Sequence, residues 1–170
     1  PPPPPPPPPR LDSSAASDVY KRQSLTTDGN ALKVFHQVNL GVAVALPGDE
    51  MVTAVVRNAG EMTESEFYAA YQDQVLLARD GNDQADESTT VTVSNIGKAG
   101  MRIGIPAIVA PAVATLAVGE VYQHPVPDGD SFGFQPTATI TMSFDHRIVN
   151  GVGAATFMND IRHHIETFSH

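Results

Sequence analysis

The chain contains no cysteine, which excludes disulfides, a cysteine nucleophile and thiolate metal sites together. Any thiol chemistry it supports must use sulfur brought by its substrates. It also has no apolar run long enough to span a bilayer, so no membrane partner is expected. Its first residues show none of the basic and apolar regions of a secretory signal. Positive charge is scarce: ten Lys and Arg face nineteen Asp and Glu, for a formal charge of −9. The basic residues are scattered singly except for Lys21-Arg22, leaving no stripe to neutralise phosphates, and nucleic acid is not an expected partner.

What is present reads as one soluble globular domain, since 170 residues with 41% apolar content suffice for one core. Residues 1–23 stand apart. Nine of the fifteen prolines form their opening run, which as physics is an extended polyproline segment followed by a polar linker. The peptide Asp18 to Gln23 (DVYKRQ) looks instead like a translated sequencing-library adapter. The expectation is therefore an assembly artefact or Pro-rich tail over 1–23, and a partial domain, cut at its N-terminal side, over 24–170.

Within 24–170, Val38, Leu40, Val42 and Val44 recur at period two and predict a strand over 34–46. Pro47-Gly48-Asp49 is turn chemistry before a second, adjacent strand over 51–58. Thr63-Glu64-Ser65-Glu66 fits a capping box, and Phe67, Tyr71, Val75 and Ala78 at helical spacing extend that helix to about Asp80. The acidic run 80–87 reads as a solvated connector, because it lacks the ligand and glycine spacing of a calcium loop. Further expectations are a strand over 89–94, a glycine-rich loop over 95–104, an apolar stretch over 105–121, a loop over 125–133, a strand over 137–144 and a closing helix over 150–168. On that helix Phe157, Ile161, Ile165 and Phe168 share a face. The order is that of a mixed α/β or α+β protein.

The segment from Ser143 to Glu166, SFDHRIVNGVGAATFMNDIRHHIE, resembles the D-H-R-x-x-D-G signature and closing helix of the dihydrolipoyl acyltransferases, which form the cores of 2-oxo acid dehydrogenase complexes. VNLGVAVALPG, TVTVSNIGKAGM and PAIVAPAVATLAVGEV resemble other parts of that family in the same order, from about Leu32 to Phe168. The resemblance implies a chloramphenicol-acetyltransferase-like α/β fold, α+β in two layers, with a mixed sheet and helices on one face. It implies acyl transfer between coenzyme A and dihydrolipoyl thiols, the lipoyl group riding on a domain absent from this chain, and no metal. His146 corresponds to the family's general base and Ser94 to its oxyanion donor. Asn150 stands where the family usually has an Asp that pairs with an Arg from elsewhere; Asn keeps the hydrogen-bonding shape, loses the charge, and can also cap the last helix. Asp145 and Arg147 flank the base as a structural pair, with Asn95 and Gly151 in supporting places.

A thiol ionises near 8.5, so an imidazole beside it can generate the nucleophile at modest cost. The resemblance further implies a homotrimer with His and Ser facing each other across an interface, assembled into a cubic or icosahedral core with 2-oxo acid decarboxylase and dihydrolipoyl dehydrogenase components. The compartment would be the bacterial cytoplasm or the mitochondrial matrix. Two other readings are a non-catalytic scaffold of the same fold and a chloramphenicol-type O-acetyltransferase, although the latter family usually has His where Asp145 stands. His163, His164 and His170 read as surface residues rather than a metal site, and His36 and His124 lack partners nearby in sequence.

Overall fold

The computed structural model describes residues 23–25 and 31–167, with only the backbone for 23–25. The opening prolines, the peptide Asp18 to Gln23 apart from its last residue, Phe168 and His170 lie outside the described residues. Strand β1 (Gln23–Leu25) pairs antiparallel with β2 (Leu32–Val34) in a small separate sheet. The strand expected over 34–46 is therefore broken, and its longer part, β3, runs only over Leu40–Ala45. Asn39 explains the break. Buried between the two parts, it turns its amide to other segments: Nδ2 donates to the carbonyl and hydroxyl oxygens of Ser88 at 3.2 and 2.9 Å, and Oδ1 accepts from the Asn58 N–H at 2.9 Å.

β4 (Met51–Val56) returns antiparallel to β3, through a turn in which Gly48 and Asp49 both take positive φ. Helix α1 (Glu64–Arg79) starts on the expected capping box: the Glu66 N–H donates to Thr63 Oγ1, and Glu66 Oε2 accepts from the Thr63 N–H at 2.8 Å. The acidic run after it is more than a solvated connector. Asp83 Oδ1 accepts from the Thr53 N–H and Gln84 Oε1 from the Val55 N–H, at 3.0 and 2.9 Å, so these side chains occupy donors on the outer edge of β4 that have no strand partner among the described residues.

β5 (Val91–Asn95) and β6 (Ala114–Val118) run parallel to β3, and β9 (Ile140–Phe144) closes the other edge antiparallel to β6, giving the order β4-β3-β5-β6-β9. The loop expected over 125–133 is instead most of a hairpin, β7 (Tyr122–Asp128) with β8 (Ser131–Thr137), turning on Gly129 at φ 58. Prolines at alternate positions disguised it: in a two-stranded ribbon Pro125 and Pro127 share one orientation, and a proline nitrogen turned outward costs no ladder bond. The strand expected over 137–144 accordingly divides between β8 and β9. Helix α2 (Gly151–Thr167) ends the described chain.

Register places Val52 and Ala54 of β4, Leu40, Val42 and Val44 of β3, Val91 and Val93 of β5, Ala114 and Leu116 of β6, and Ile140, Met142 and Phe144 of β9 on one face. Helix α1 covers one half of this face through Val75 and Ala78, and α2 covers the other through Phe157, Met158 and Ile161. Both helices therefore lie on the same side of a mixed sheet, the two-layer arrangement expected. Ile165 is more than half exposed and contributes little to that face. Among the described residues no helix is long and apolar enough to cross a membrane.

Candidate active site

The opposite face of the sheet has different chemistry. Gly41, Ala43, Thr53, Thr92, Ser94, Thr115, Ala117, Thr141 and Ser143 alternate with the aliphatic set and point away from the helices. Its cover is the irregular segment 96–113, fastened by sheet hydroxyls: Thr115 Oγ1 accepts from the Val109 N–H at 3.2 Å, and Thr141 Oγ1 donates to the Gly104 carbonyl. Fastening without close packing leaves a cavity of about 240 Å³ between cover and sheet. Ser94, Ala43, Thr115, Ala117, Met101 and Ile105 are among its lining residues.

Ser94 is half-buried near the end of β5. The next residue holds the turn that follows: Asn95 Oδ1 accepts from the backbone N–H groups of Gly97 and Lys98, at 3.1 and 3.4 Å. Gly97 then passes so near the chain leaving β6 that a Cβ would lie 2.7 Å from Glu120 N and from Gly119 O. At Gly119 a Cβ would lie 2.1 Å from the Arg102 carbonyl oxygen. The glycines of the S-N-x-G and V-G segments are thus each needed because two loops touch through their backbones. The Glu120 N–H donating to the Met101 carbonyl at 2.8 Å and Arg102 lying 4.7 Å over the Tyr122 ring complete the junction.

His146 lies elsewhere, in the turn between β9 and α2. Below it, Val149 and Ala154 pack with Val113, Met142, Phe144 and Ile148. Its ring is exposed and sits 5.7 Å from the Phe144 ring, centroid to centroid. Asp145 and Arg147 form the expected pair, Nε donating to both carboxylate oxygens at 2.9 and 3.1 Å. The guanidinium holds the Asp145 carboxyl below its ordinary range. Asn150 caps α2, its Oδ1 accepting from the Gly153 N–H at 2.8 Å. At Gly151 a Cβ would meet nothing within 4 Å among the described residues, so their packing does not demand glycine there.

The site residues therefore fall into two groups, His146 with Asp145, Arg147, Asn150 and Gly151, and Ser94 with Asn95. Ser94 is opposite Ala117 and Ala117 opposite Thr141, and His146 follows Thr141 by five residues. The strand from Thr141 to Phe144 alone separates them by roughly 10 Å, and His146 lies beyond its end in the turn. Sequence reading missed the hydroxyl face that supports Ser94. Its signal was the alternation in TTVTVS, ATLAV and TATITMS, legible once the aliphatic positions are assigned to the helices. Among the described residues no group of three or more His, Asp and Glu is placed to hold a metal ion.

Comparison with known proteins accords with this architecture. Residues 15–170 match the family described as 2-oxoacid dehydrogenases acyltransferase (catalytic domain), reaching back into the segment read as an artefact. The dihydrolipoyllysine-residue acetyltransferase component of the pyruvate dehydrogenase complex from Zymomonas mobilis is 31% identical over 141 residues, 82% of this chain and 32% of the relative. A solved cubic core of the pyruvate dehydrogenase multienzyme complex superposes with a TM-score of 0.76 at 28% identity, over 91% of this chain and 65% of that one. The Azotobacter vinelandii dihydrolipoamide acetyltransferase, solved in an investigation of the role of a serine, a histidine and an asparagine in its catalytic mechanism, gives 0.77 at 27% identity, over 91% and 64%. The chain thus spans about a third of the Zymomonas relative and about two thirds of the solved cores. It belongs to the 2-oxoacid dehydrogenase acyltransferase family, matching its catalytic domain over residues 15–170.

Proposed function

We propose that this chain serves acyl transfer between coenzyme A and a dihydrolipoyl thiol, with acetyl as the group moved, as the names of its curated relatives suggest. One observation carries the assignment of residues. In the Azotobacter enzyme the histidine follows the serine by 52 residues and the asparagine follows the histidine by four; Ser94, His146 and Asn150 have the same order and the same spacings. An asparagine at position 150 then belongs to a working pattern and is no sign of relaxed chemistry.

In this reading His146 takes the proton of the attacking thiol, and the thiolate adds to the thioester carbonyl. The Ser94 hydroxyl donates to the oxyanion. Collapse breaks the old C–S bond, and the imidazolium returns its proton to the departing thiolate, so neither an acyl-enzyme nor a metal is needed. The cavity beside Ser94, with its mostly apolar lining, suits the hydrocarbon end of a thiol arm and keeps water from the thioester. Because His146 and Ser94 lie at opposite ends of one sheet, one reaction centre needs His146 from one subunit and Ser94 from another. That requirement supports an oligomer, which in this reading is a homotrimer within a larger core that works with 2-oxo acid decarboxylase and dihydrolipoyl dehydrogenase components. Exposed apolar side chains agree with assembly: Ile105 is 92% exposed, and Phe132 and Phe134 are 72% and 70% exposed on one hairpin.

The test supplies acetyl-coenzyme A and free dihydrolipoamide to the assembled protein and follows the new thioester, with chloramphenicol as a control acceptor. Transfer to the dithiol and not to the hydroxyl is expected; no transfer to the dithiol sinks the reading.

A further inference from the structure

The turn that carries His146 has a feature that the acyl-transfer reading does not use. Asp145 is tied on every side. Its N–H donates to the Val113 carbonyl at 2.9 Å, and its carbonyl accepts from the N–H groups of Ile148 and Val149 at 3.0 and 2.9 Å. Its Oδ1 accepts from the backbone N–H of Arg147 at 3.0 Å as well as from Nε at 2.9 Å, while Oδ2 accepts from Nη2 at 2.5 Å. Val149 is buried in the cluster beneath, and Phe144 and Ile148 pack against it. Residues 144, 145, 148 and 149 are therefore fixed by packing or by backbone bonds, and Arg147 is fastened back to Asp145. The ring closed from 145 to 147 leaves His146 as its middle member, with its backbone held at both ends and its ring directed outward beside Phe144.

The exposures assign the roles. The Asp145 side chain is 15% exposed and that of Arg147 is 67%. An ion pair open to water on one side adds little stability, so its value lies in geometry: a planar guanidinium on a carboxylate fixes two parallel bonds, which an ammonium cannot do.

We infer that Asp145 and Arg147 are positioning residues, a staple across His146 that holds the imidazole in the attitude its proton transfer requires. The inference rests on the acyl-transfer reading, in which His146 is the base. Displacing a reacting group by about 1 Å costs on the order of 10²-fold in rate. Loosening the staple should therefore act on kcat rather than on substrate binding.

The experiment compares the full chain with Arg147→Lys, which keeps the charge and loses the two-pronged bond, and with Asp145→Asn, which keeps an acceptor for the Arg147 N–H and loses the ion pair. Two readouts are taken on each: the amide ¹⁵N order parameter of His146, and kcat and KM for dihydrolipoamide in the assembled protein. The staple predicts a lower order parameter at His146 in both variants, a fall in kcat of roughly 10–100-fold with KM nearly unchanged, and no further loss in the double variant. An order parameter equal to the parent's overturns it, as does a kcat within about twofold of the parent's or a loss confined to KM. If the parent itself transfers no acyl group, the functional reading fails, and the order parameter alone then decides whether the staple holds His146.

Discussion

On the helix-covered side of the central sheet, branched aliphatic side chains from all five strands meet Ala78 of α1 and Phe157 of α2. On the other side, glycine, alanine, threonine and serine, with Met51 and Val55 on the β4 edge, meet an irregular segment that touches the sheet through hydroxyl bonds and stands off it by a cavity of about 240 Å³. Where those large side chains interdigitate they fill the space between sheet and helix; at the margin of this side, between Ile140 and the Met158, Ile161 and Ile165 face of α2, an open cleft of about 430 Å³ remains. Small and hydroxyl-bearing ones leave both room and directed donors, and Ser94 lies on that side. The fold thus divides its sheet into an aliphatic face packed by two helices and a face of small and hydroxyl-bearing residues on which Ser94 lies.

Substitutions on either side can break that division. The largest expected effect is on rate: His146→Ala should slow acyl transfer by about 10²–10⁴-fold while leaving the thermal midpoint unchanged, since the ring is exposed. Ser94→Ala should cost on the order of 10²–10³-fold, with a similarly small effect on stability. Steady-state kinetics paired with thermal melts check both, and a large stability loss with Ser94→Ala would erase the contrast between faces. Phe157→Ala on the helix side should do the reverse, removing about 3–5 kcal/mol as a core truncation, read as the shift in a urea midpoint.

Gly119→Ala tests the junction beneath the cavity. Its methyl group collides with the Arg102 carbonyl, so a loss of about 1–3 kcal/mol is expected, accompanied by slower transfer because the cover of the Ser94 cavity must shift. The smallest effect is at the sheet edge. Asp86, paired with Arg57 at 2.6 Å, has its carboxyl lowered to about 2 by that guanidinium. A depressed folded value means that the unfolded chain binds the proton more readily. The stabilisation is therefore complete above the ordinary carboxylate range and is lost as pH falls towards 2. Because the pair is about half exposed, Asp86→Asn should cost less than about 1 kcal/mol at neutral pH. It should also flatten the acid limb of a plot of thermal midpoint against pH.

The helices and their boundaries were legible because their signals are local: a capping box at Thr63 and Glu66, a cap at Asn150, and apolar spacing between. The hairpin β7–β8 was not, because its prolines suit a loop or an outer strand equally well, and only the pairing partner distinguishes the two. The break at Asn39 was hidden for a related reason. Its amide is satisfied by Ser88 and Asn58, and no window of sequence around position 39 contains either.

By itself the sequence determined that the chain has no cysteine of its own to offer, that it mixes strands with two helices, and that Ser94 and His146 stand in the order of a family's motifs, with Asn150 where that family usually has Asp. These are properties of residue identity and spacing, and they survive without a fold. Only the tertiary structure decided that Ser94 faces a cavity under the segment 96–113, and that His146 lies at the far end of the same sheet between two stapled neighbours. Strand direction is the physical reason: β9 runs against β5 and β6, so residues following β9 are carried away from those ending β5. A single chain therefore holds Ser94 and His146 apart.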